Sequence, residues 1–396
     1  MKTDLFDRGV ENIIPSKEKL QSLLDSGRKL NIYIGIDPTA TRIHIGHAVP
    51  LRKLNEFANL GHNVTFLIGD FTALIGDTSD KDTERPILTS EEIKANFFSY
   101  KKLAEKVLDF SKVRVVYNSE WLSKLTFTDI VKLSQHFSAG DFVGRELIKK
   151  RLNAGKHVGL HELLYPVMQG YDSYHLDTDI QLGGTDQTFN MQAGRILQKD
   201  LRGKESYIIA NGFLEGTDGR KMSKSWGNAI WLDDEPNEMY GKVMSLKDDL
   251  IISYFTLATS VSREQIAEYE ESLKGGANPM DLKKKLAHQI VLELHNENAA
   301  NTAAEYFQKT VQDKEKPTEI LTKPLKRVKD LTSLATLTAL GLGTSNSERK
   351  RMLEGGGVTI NDHVITDSNY VIDLTNIPEI IVKYGKRQYI KGKLED

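Results

Sequence analysis

Apolar positions along the chain fall into short β-branched runs and longer helical repeats, and their alternation outlines an architecture. Asn31–Ile36 reads as a strand closed by the turn pair Asp37-Pro38. Helical periodicity then runs from about His44 to Leu60 and stops at Gly61, which suits a left-handed C-terminal cap. A second β-branched run, Asn63–Ile68, follows and ends at Gly69-Asp70. Strand, helix and strand in this order make a βαβ unit, the opening of a doubly wound parallel sheet whose ligands sit at the carboxyl ends of the strands. Ahead of that unit the chain opens with a short helical-looking segment. From about residue 90 to 180 the pattern is mostly helical until a glycine-rich turn at Gln181–Gln187, and this stretch reads as an insertion between two halves of the sheet. Residues 247–312 are helical again, broken at Gly275-Gly276 and at Pro279. A charged linker with two prolines, Lys314 to Pro324, precedes β-like runs at Val358–Ile360, Glu379–Lys383 and Gln388–Ile390, which read as a separate small domain.

The length of 396 residues exceeds what one hydrophobic core usually organises, so two or three domains are expected. The 53 basic side chains nearly balance the 55 acidic ones. A nucleic-acid partner would therefore be held by local patches and not by a globally positive molecule. The absence of cysteine excludes disulfides, thiolate nucleophiles and cysteine-based metal sites, leaving hydroxyls, carboxylates, imidazoles and amines to carry chemistry. The opening residues contain no apolar core of signal-peptide length and no run is long enough to span a bilayer, so a soluble cytoplasmic protein without a membrane partner is expected.

Two motifs stand out. His44-Ile-Gly-His47 puts two imidazoles three positions apart in the first turn of a helix, on one face and beside unpaired backbone N–H groups. Such a start attracts phosphate, Gly46 leaves room for a flat ring against the backbone, and the imidazoles can donate to phosphate oxygens. A surface histidine pair or two metal ligands are the alternatives. Lys221-Met-Ser-Lys-Ser225 follows Asp218-Gly219-Arg220 on a turn-rich loop. Its two lysines and hydroxyls would grip a polyphosphate, against the alternative of a solvated basic loop.

The pairing of these motifs in this order, the first just after a strand and the second after a further α/β half, resembles the class I aminoacyl-tRNA synthetases. Tyr165, Gln169 and Asp172, spaced four and seven positions apart on one helical face, extend the resemblance to the bacterial tyrosyl-tRNA synthetases. The resemblance implies an α/β fold: a Rossmann-like doubly wound parallel sheet with a helical insertion, followed by a helical domain and a small α+β S4-like RNA-binding domain. The expected divisions are a catalytic domain over 1–230 with the insertion at about 90–180, a helical anticodon-binding domain over 231–320 and the S4-like domain over 325–396. By the same resemblance Tyr33 and Asp172 contact a phenolic hydroxyl, while Asp77, Tyr165 and Gln169 hold an ammonium group. Thr72 lies beside the tyrosine, Asp37 and Thr39 near the nucleotide, Asp186 at the ribose and Gln187 near the carboxylate. Lys81 and Arg85 match pyrophosphate contacts, with a charged loop as the competing reading. Core packing is the alternative for Tyr165. The chain departs from one branch of the family at Thr188, where a tryptophan often follows the glutamine, and it carries the full Lys-Met-Ser-Lys-Ser form where that branch varies. Both features point to the other bacterial branch.

Ser345–Leu353 with Gly355–Asn361 resembles the S4-like domain, its helix presenting Arg349, Lys350 and Arg351, with Lys386 and Arg387 adding charge in a later strand region. A charged surface is the alternative. The resemblance implies two-step chemistry on L-tyrosine, ATP and tRNA(Tyr), with donors from Thr39, His44, Gly46, His47, Lys221 and Lys224 around the phosphates, Mg²⁺ accompanying ATP, no dedicated protein metal site, and a homodimer. A tryptophanyl enzyme shares the fold, but Tyr33, Asp172 and the S4-like tail argue against it. Intact His44, His47, Lys221 and Lys224 argue against an inactive RNA-binding relative.

Overall fold

The computed structural model describes residues 5–39, 41–76, 89–223, 226–312, 320–328, 330–343, 345–374, 377–385 and 388–395. The chain packs as two units, residues 1–234 with 246–286, and 235–245 with 287–396.

The first unit is built on a six-stranded sheet. Its strands are β1 (Val10–Ile14), β2 (Asn31–Ile36), β3 (Asn63–Ile68), β4 (Val113–Tyr117), β5 (Ile180–Gly184) and β6 (Tyr207–Asn211), in the spatial order β1-β6-β5-β2-β3-β4. β2 to β6 run parallel, and β1 joins antiparallel to β6. β3 and β6 are almost continuously apolar because helices cover both faces of such a sheet. From β2 the chain proceeds outward through β3 to β4, and from β5 it proceeds the other way to β6. The direction of winding therefore reverses between β2 and β5, and a crevice opens there at the strands' carboxyl ends.

The helix Ile45–Asn59 follows β2 and buries Ile45, Leu51, Leu54 and Phe57 completely. It ends as expected: Gly61 adopts φ +84°, which a side chain would strain. Leu160–His175 is the helix that carries the tyrosine motif residues, and its first turn is fixed from inside the protein. Arg151 donates to both oxygens of Glu162 at 2.6 and 3.0 Å, and Glu162 accepts from the backbone of Gly159 at 2.8 Å.

Four expectations need correction. The helical-looking opening contains β1, whose ladder partner β6 lies far away in sequence, before the helix Lys17–Asp25 begins. The mostly helical region contains β4, a run of valines too short for periodicity to distinguish from a helix segment. Gln181–Gly184 is strand and not turn, with a single helical turn only at Thr185–Gln187. Gly184 serves close packing there, since a Cβ would lie 2.6 Å from the Asp186 carboxylate. The end of the linker is also strand: β7 (Leu321–Lys326) contains Pro324.

The second unit holds a five-stranded sheet of β7, β8 (Val358–Ile360), β9 (His363–Val364), β10 (Glu379–Tyr384) and β11 (Gln388–Glu395), ordered β7-β11-β10-β8-β9. β7 is an edge strand, where proline is tolerated. Leu325, Leu337, Leu340, Leu353, Val358, Ile380 and Val382 form its core with the helices Ser333–Ala339 and Asn346–Glu354.

Candidate active site

The crevice between β2 and β5 holds two adjoining cavities of about 240 Å³ each. The inner one is lined by Tyr33, Asp37, Thr39, Thr72, Tyr165, Gln169 and Asp172; His47 and Gln187 face both; the outer one is lined by His44, Gly46, Asp186 and Lys221. The sheet and its helices thus bring the sequence candidates into one site. Asp77, Lys81, Arg85 and Lys224 lie outside the described residues.

The floor of the inner cavity is a chain of side-chain hydrogen bonds. Tyr165 OH donates to Asp37 Oδ2 at 2.9 Å and Thr72 Oγ1 donates to Asp37 Oδ1 at 2.7 Å. Asn118 Nδ2 donates to Thr72 Oγ1 at 3.0 Å and to Asp172 Oδ2 at 3.1 Å, and Trp121 Nε1 donates to Asp172 Oδ1 at 2.7 Å. Gly69 is required by this chain, because a Cβ there would come within 2.0 Å of Asp37 Oδ1. Tyr33 donates to Gln181 Oε1 at 3.2 Å, and Gln181 donates to the carbonyl of Met191 at 2.9 Å. The core-packing alternative for Tyr165 is half correct: it is buried in an apolar cluster with Tyr33, Leu67, Trp121 and Met168, while its hydroxyl points at a carboxylate.

Asp172 is buried, and desolvation pushes its carboxyl up to about 8 against the opposing hydrogen bonds from Asn118 and Trp121; the charges of Asp37 and Asp70 add to the rise. Burial, with Asp172 beside it, also raises the phenol of Tyr33 well above its ordinary value.

The outer half has a different character. The rings of His44 and His47 stack at 3.7 Å, and His47 Nδ1 accepts from the backbone N–H of His44 at 3.2 Å. Burial of the ring, then His47 and Lys221, hold His44 far below the usual imidazole range, so it stays neutral. Its Nδ1 is buried without a hydrogen-bond partner. The flat ring against Gly46 in this structure is the His44 imidazole itself, 3.0 Å from where a Cβ would lie. The strand-like pairing of His44 with Trp231 anchors the motif, and Arg42 lies 4.8 Å over the Trp231 ring while it grips Asp233. Lys221 faces this half from the far wall. The base of its loop is tied by Asn228, which accepts from the backbone of Ser223 at 2.9 Å and donates to Asp218 at 2.8 Å and to the Lys221 carbonyl at 3.1 Å.

Residues 25–312 match the model of the family described as tRNA synthetases class I (W and Y). The chain belongs to that family. The tyrosine–tRNA ligase of Carboxydothermus hydrogenoformans is 42% identical over 397 residues, covering 98% of this chain and 96% of that protein. The ligase of the same description from Thermotoga maritima is 39% identical over 389 residues, with 98% and 96% covered. Among solved structures, the tyrosyl-tRNA synthetase of Archaeoglobus fulgidus complexed with L-tyrosine superposes with a TM-score of 0.61 at 23% identity, over 76% of this chain and 98% of that one, a likeness of fold.

Within this synthetase family member, Asn118, Trp121, Gln181 and Asn228 escaped the sequence reading. Asn118 sits at the carboxyl end of β4, so recognising that strand would have marked it. In the second unit, Lys350 and Arg351 are exposed on the helix Asn346–Glu354. Arg349 is committed to the fold, donating to the carbonyls of Leu342 and Gly343 and to Asn346. Lys386 and Arg387 lie outside the described residues.

A buried acid with a raised pKa holds its proton more tightly when folded, so its contribution to stability is full at low pH and fades as pH rises from about 4 to about 8. Thermal midpoints of the ligand-free protein, followed from about pH 5 to about pH 9, should fall relative to those of Asp172→Asn and then run parallel. Parallel curves throughout would remove the burial-driven shift.

Proposed function

We propose that the chain activates L-tyrosine with ATP and loads it onto tRNA(Tyr). A carboxylate oxygen of tyrosine attacks the α-phosphorus of ATP, the bond to the bridging oxygen breaks, and tyrosyl-adenylate and pyrophosphate form. A ribose hydroxyl at the 3′ end of the tRNA then attacks the tyrosyl carbonyl carbon and AMP leaves. One observation carries the reading: the cavity lined by Asp172 and Tyr165 adjoins, through the shared Tyr33, Gln169, His47 and Gln187, the cavity lined by His44, Asp186 and Lys221.

The phenol of the substrate meets Tyr33 and Asp172. A phenylalanine in its place would leave these buried groups unpaired, a rule for which tyrosine-specific synthetases are the standing example. Tyr165 with Gln169 and Asp77 meets the ammonium, Thr72 flanks the tyrosine, Asp37 lies near the nucleotide, Gln187 near the carboxylate and Asp186 at the ribose. No side chain acts as a covalent nucleophile. Thr39, His44, His47, Lys221 and Lys224 hold the phosphates in line and donate where charge develops on the leaving pyrophosphate, assisted by Lys81 and Arg85. Neutral His44 can offer a ring N–H to an oxygen without adding a charge. Among the described residues the outer half holds imidazoles and the cation Lys221 with one carboxylate, Asp186, which fits the phosphates themselves, and Mg²⁺ carried by ATP would neutralise their charge.

Purified protein with Mg²⁺ should exchange labelled pyrophosphate into ATP with tyrosine and not with phenylalanine or tryptophan. His47→Ala should slow that exchange roughly a hundredfold with tyrosine affinity nearly unchanged. Equal exchange with tryptophan would overturn the roles of Tyr33 and Asp172.

Residues 231–320 serve as the helical anticodon-binding domain and 325–396 as the S4-like RNA-binding domain; the separate sheet and core support the latter, whereas residues 246–286 pack with the first unit and 287–312 with the second. A chain ending before β7 should keep pyrophosphate exchange, lose most transfer to tRNA, and bind tRNA with a salt slope shallower by about one unit per phosphate contact removed. An unchanged slope would make the basic helix a solvated surface.

A homodimer follows from the family resemblance and is supported by exposed apolar side chains in the insertion, with Phe127 84% and Leu160 73% exposed. Sedimentation at micromolar concentration should give twice 44.6 kDa, and a 44.6 kDa species alone would rule the dimer out.

A further inference from the structure

A third cavity, of about 650 Å³, opens at the amino-terminal ends of β2, β3 and β4, on the opposite side of the sheet's strand ends from the cleft. Lys29, His62, Lys112, Arg114 and His175 line it. Two carboxylates share the lining, Glu120 and Asp177, and Asp177 is already matched by Lys204 at 2.8 Å and Arg202 at 3.8 Å. Lys112 is held by Asn59 and Asp109, whereas Arg114 donates to the hydroxyl of Thr65 at 3.3 Å, a neutral partner. At the floor lies Thr178, 1% exposed, whose buried hydroxyl has no hydrogen-bond partner. Cationic forks and points around an unsatisfied hydroxyl are the chemistry of an oxyanion site.

The wall of this cavity is also the wall of the cleft. Tyr33 lines both. Trp121 lines the back cavity, gives its indole N–H to Asp172, and stacks on His175 at 4.3 Å with the ring planes 18° apart. We infer that the back cavity binds a small phosphate-class anion through Arg114, Lys29 and Thr178, and that its occupancy tightens tyrosine binding by fixing His175 and Trp121 behind Asp172. The binding is independent of the tyrosine reading of the cleft; the coupling rests on it.

The test uses the full chain at constant ionic strength, with chloride as the balancing ion. Broadening of the ³¹P line should report binding of inorganic phosphate, and of uridine monophosphate as a second source of the same group. Arg114→Leu should abolish it, while Lys29→Met, outside the sheet, should weaken it in a protein whose fold is undisturbed. His47→Ala should leave it intact, which separates the back cavity from the phosphate end of the cleft. Equilibrium dialysis should show the tyrosine dissociation constant falling about fivefold on saturation with the anion, and, by reciprocity, tyrosine should tighten the anion by the same factor. Without the anion, Arg114→Leu should activate tyrosine at the wild-type rate. Anion binding that survives Arg114→Leu overturns the site, and binding with no change in tyrosine affinity overturns the coupling. Loss of tRNA affinity in Arg114→Leu with phosphate binding retained would make the cavity part of an RNA surface and end the proposal. A protein that binds the anion at Arg114 but does not bind tyrosine would leave the site standing and refute the tyrosine reading of the cleft.

Discussion

Removing a carboxyl group from water is costly unless donors meet it, and the centre of the first unit is organised around that cost at Asp172. Asn118 and Trp121 supply two donors from the segment after β4, and Asn118 extends the chain through Thr72 to Asp37 and Tyr165. Six side chains from four separated segments therefore have fixed positions before any ligand arrives. Each would otherwise lose rotamer freedom on binding, so the network shifts that entropic cost from recognition to folding. Gly69 shows how tightly the arrangement is drawn, since a single methyl group would occupy the same space as the Asp37 carboxylate.

The reversal of winding between β2 and β5 gives the cleft its two chemical ends. Asp37, Tyr165 and Asp172 line one cavity, and His44 with Lys221 lines the other. The depressed basicity of His44 belongs to the same pattern: stacked on His47 and facing Lys221, it contributes a dipole where a full charge would be repelled by Lys221.

Much of this was legible in the residues themselves. The strand Asn31–Ile36, the helix after it and the strand Asn63–Ile68 were readable because each is long, apolar and bounded by proline, glycine or a charged turn. The site candidates on and beside them, from Tyr33 to His47, line the two cavities of the crevice. β1, β4 and β6 were not readable. Each has five residues, and an edge position or burial on both faces erases the alternation that marks a strand. The residues missed in the site follow from the strands missed in the fold: Asn118 ends β4 and Gln181 lies in β5, within a stretch that glycines made look like a turn. Arg349 illustrates the opposite error. A basic side chain in a basic helix reads as a ligand contact, but the carbonyls of Leu342 and Gly343 and the Asn346 side chain engage all three of its nitrogens, and only the folded backbone reveals those carbonyls.

The antiparallel strand β1 carries a consequence for how the chain is made. Ile14 is paired in register with Ile208, so this strand closes its ladder only after β2 to β6 have all been synthesised. Until then its backbone donors and acceptors are an open edge in a growing chain, the condition under which strands pair with the wrong partner. Its sequence, Val10-Glu-Asn-Ile-Ile14, places a charge and an amide in the middle of the run and a proline immediately after it. These are the devices that keep a solitary strand soluble while it waits, so β1 is written for its history on the ribosome as much as for its final place in the sheet.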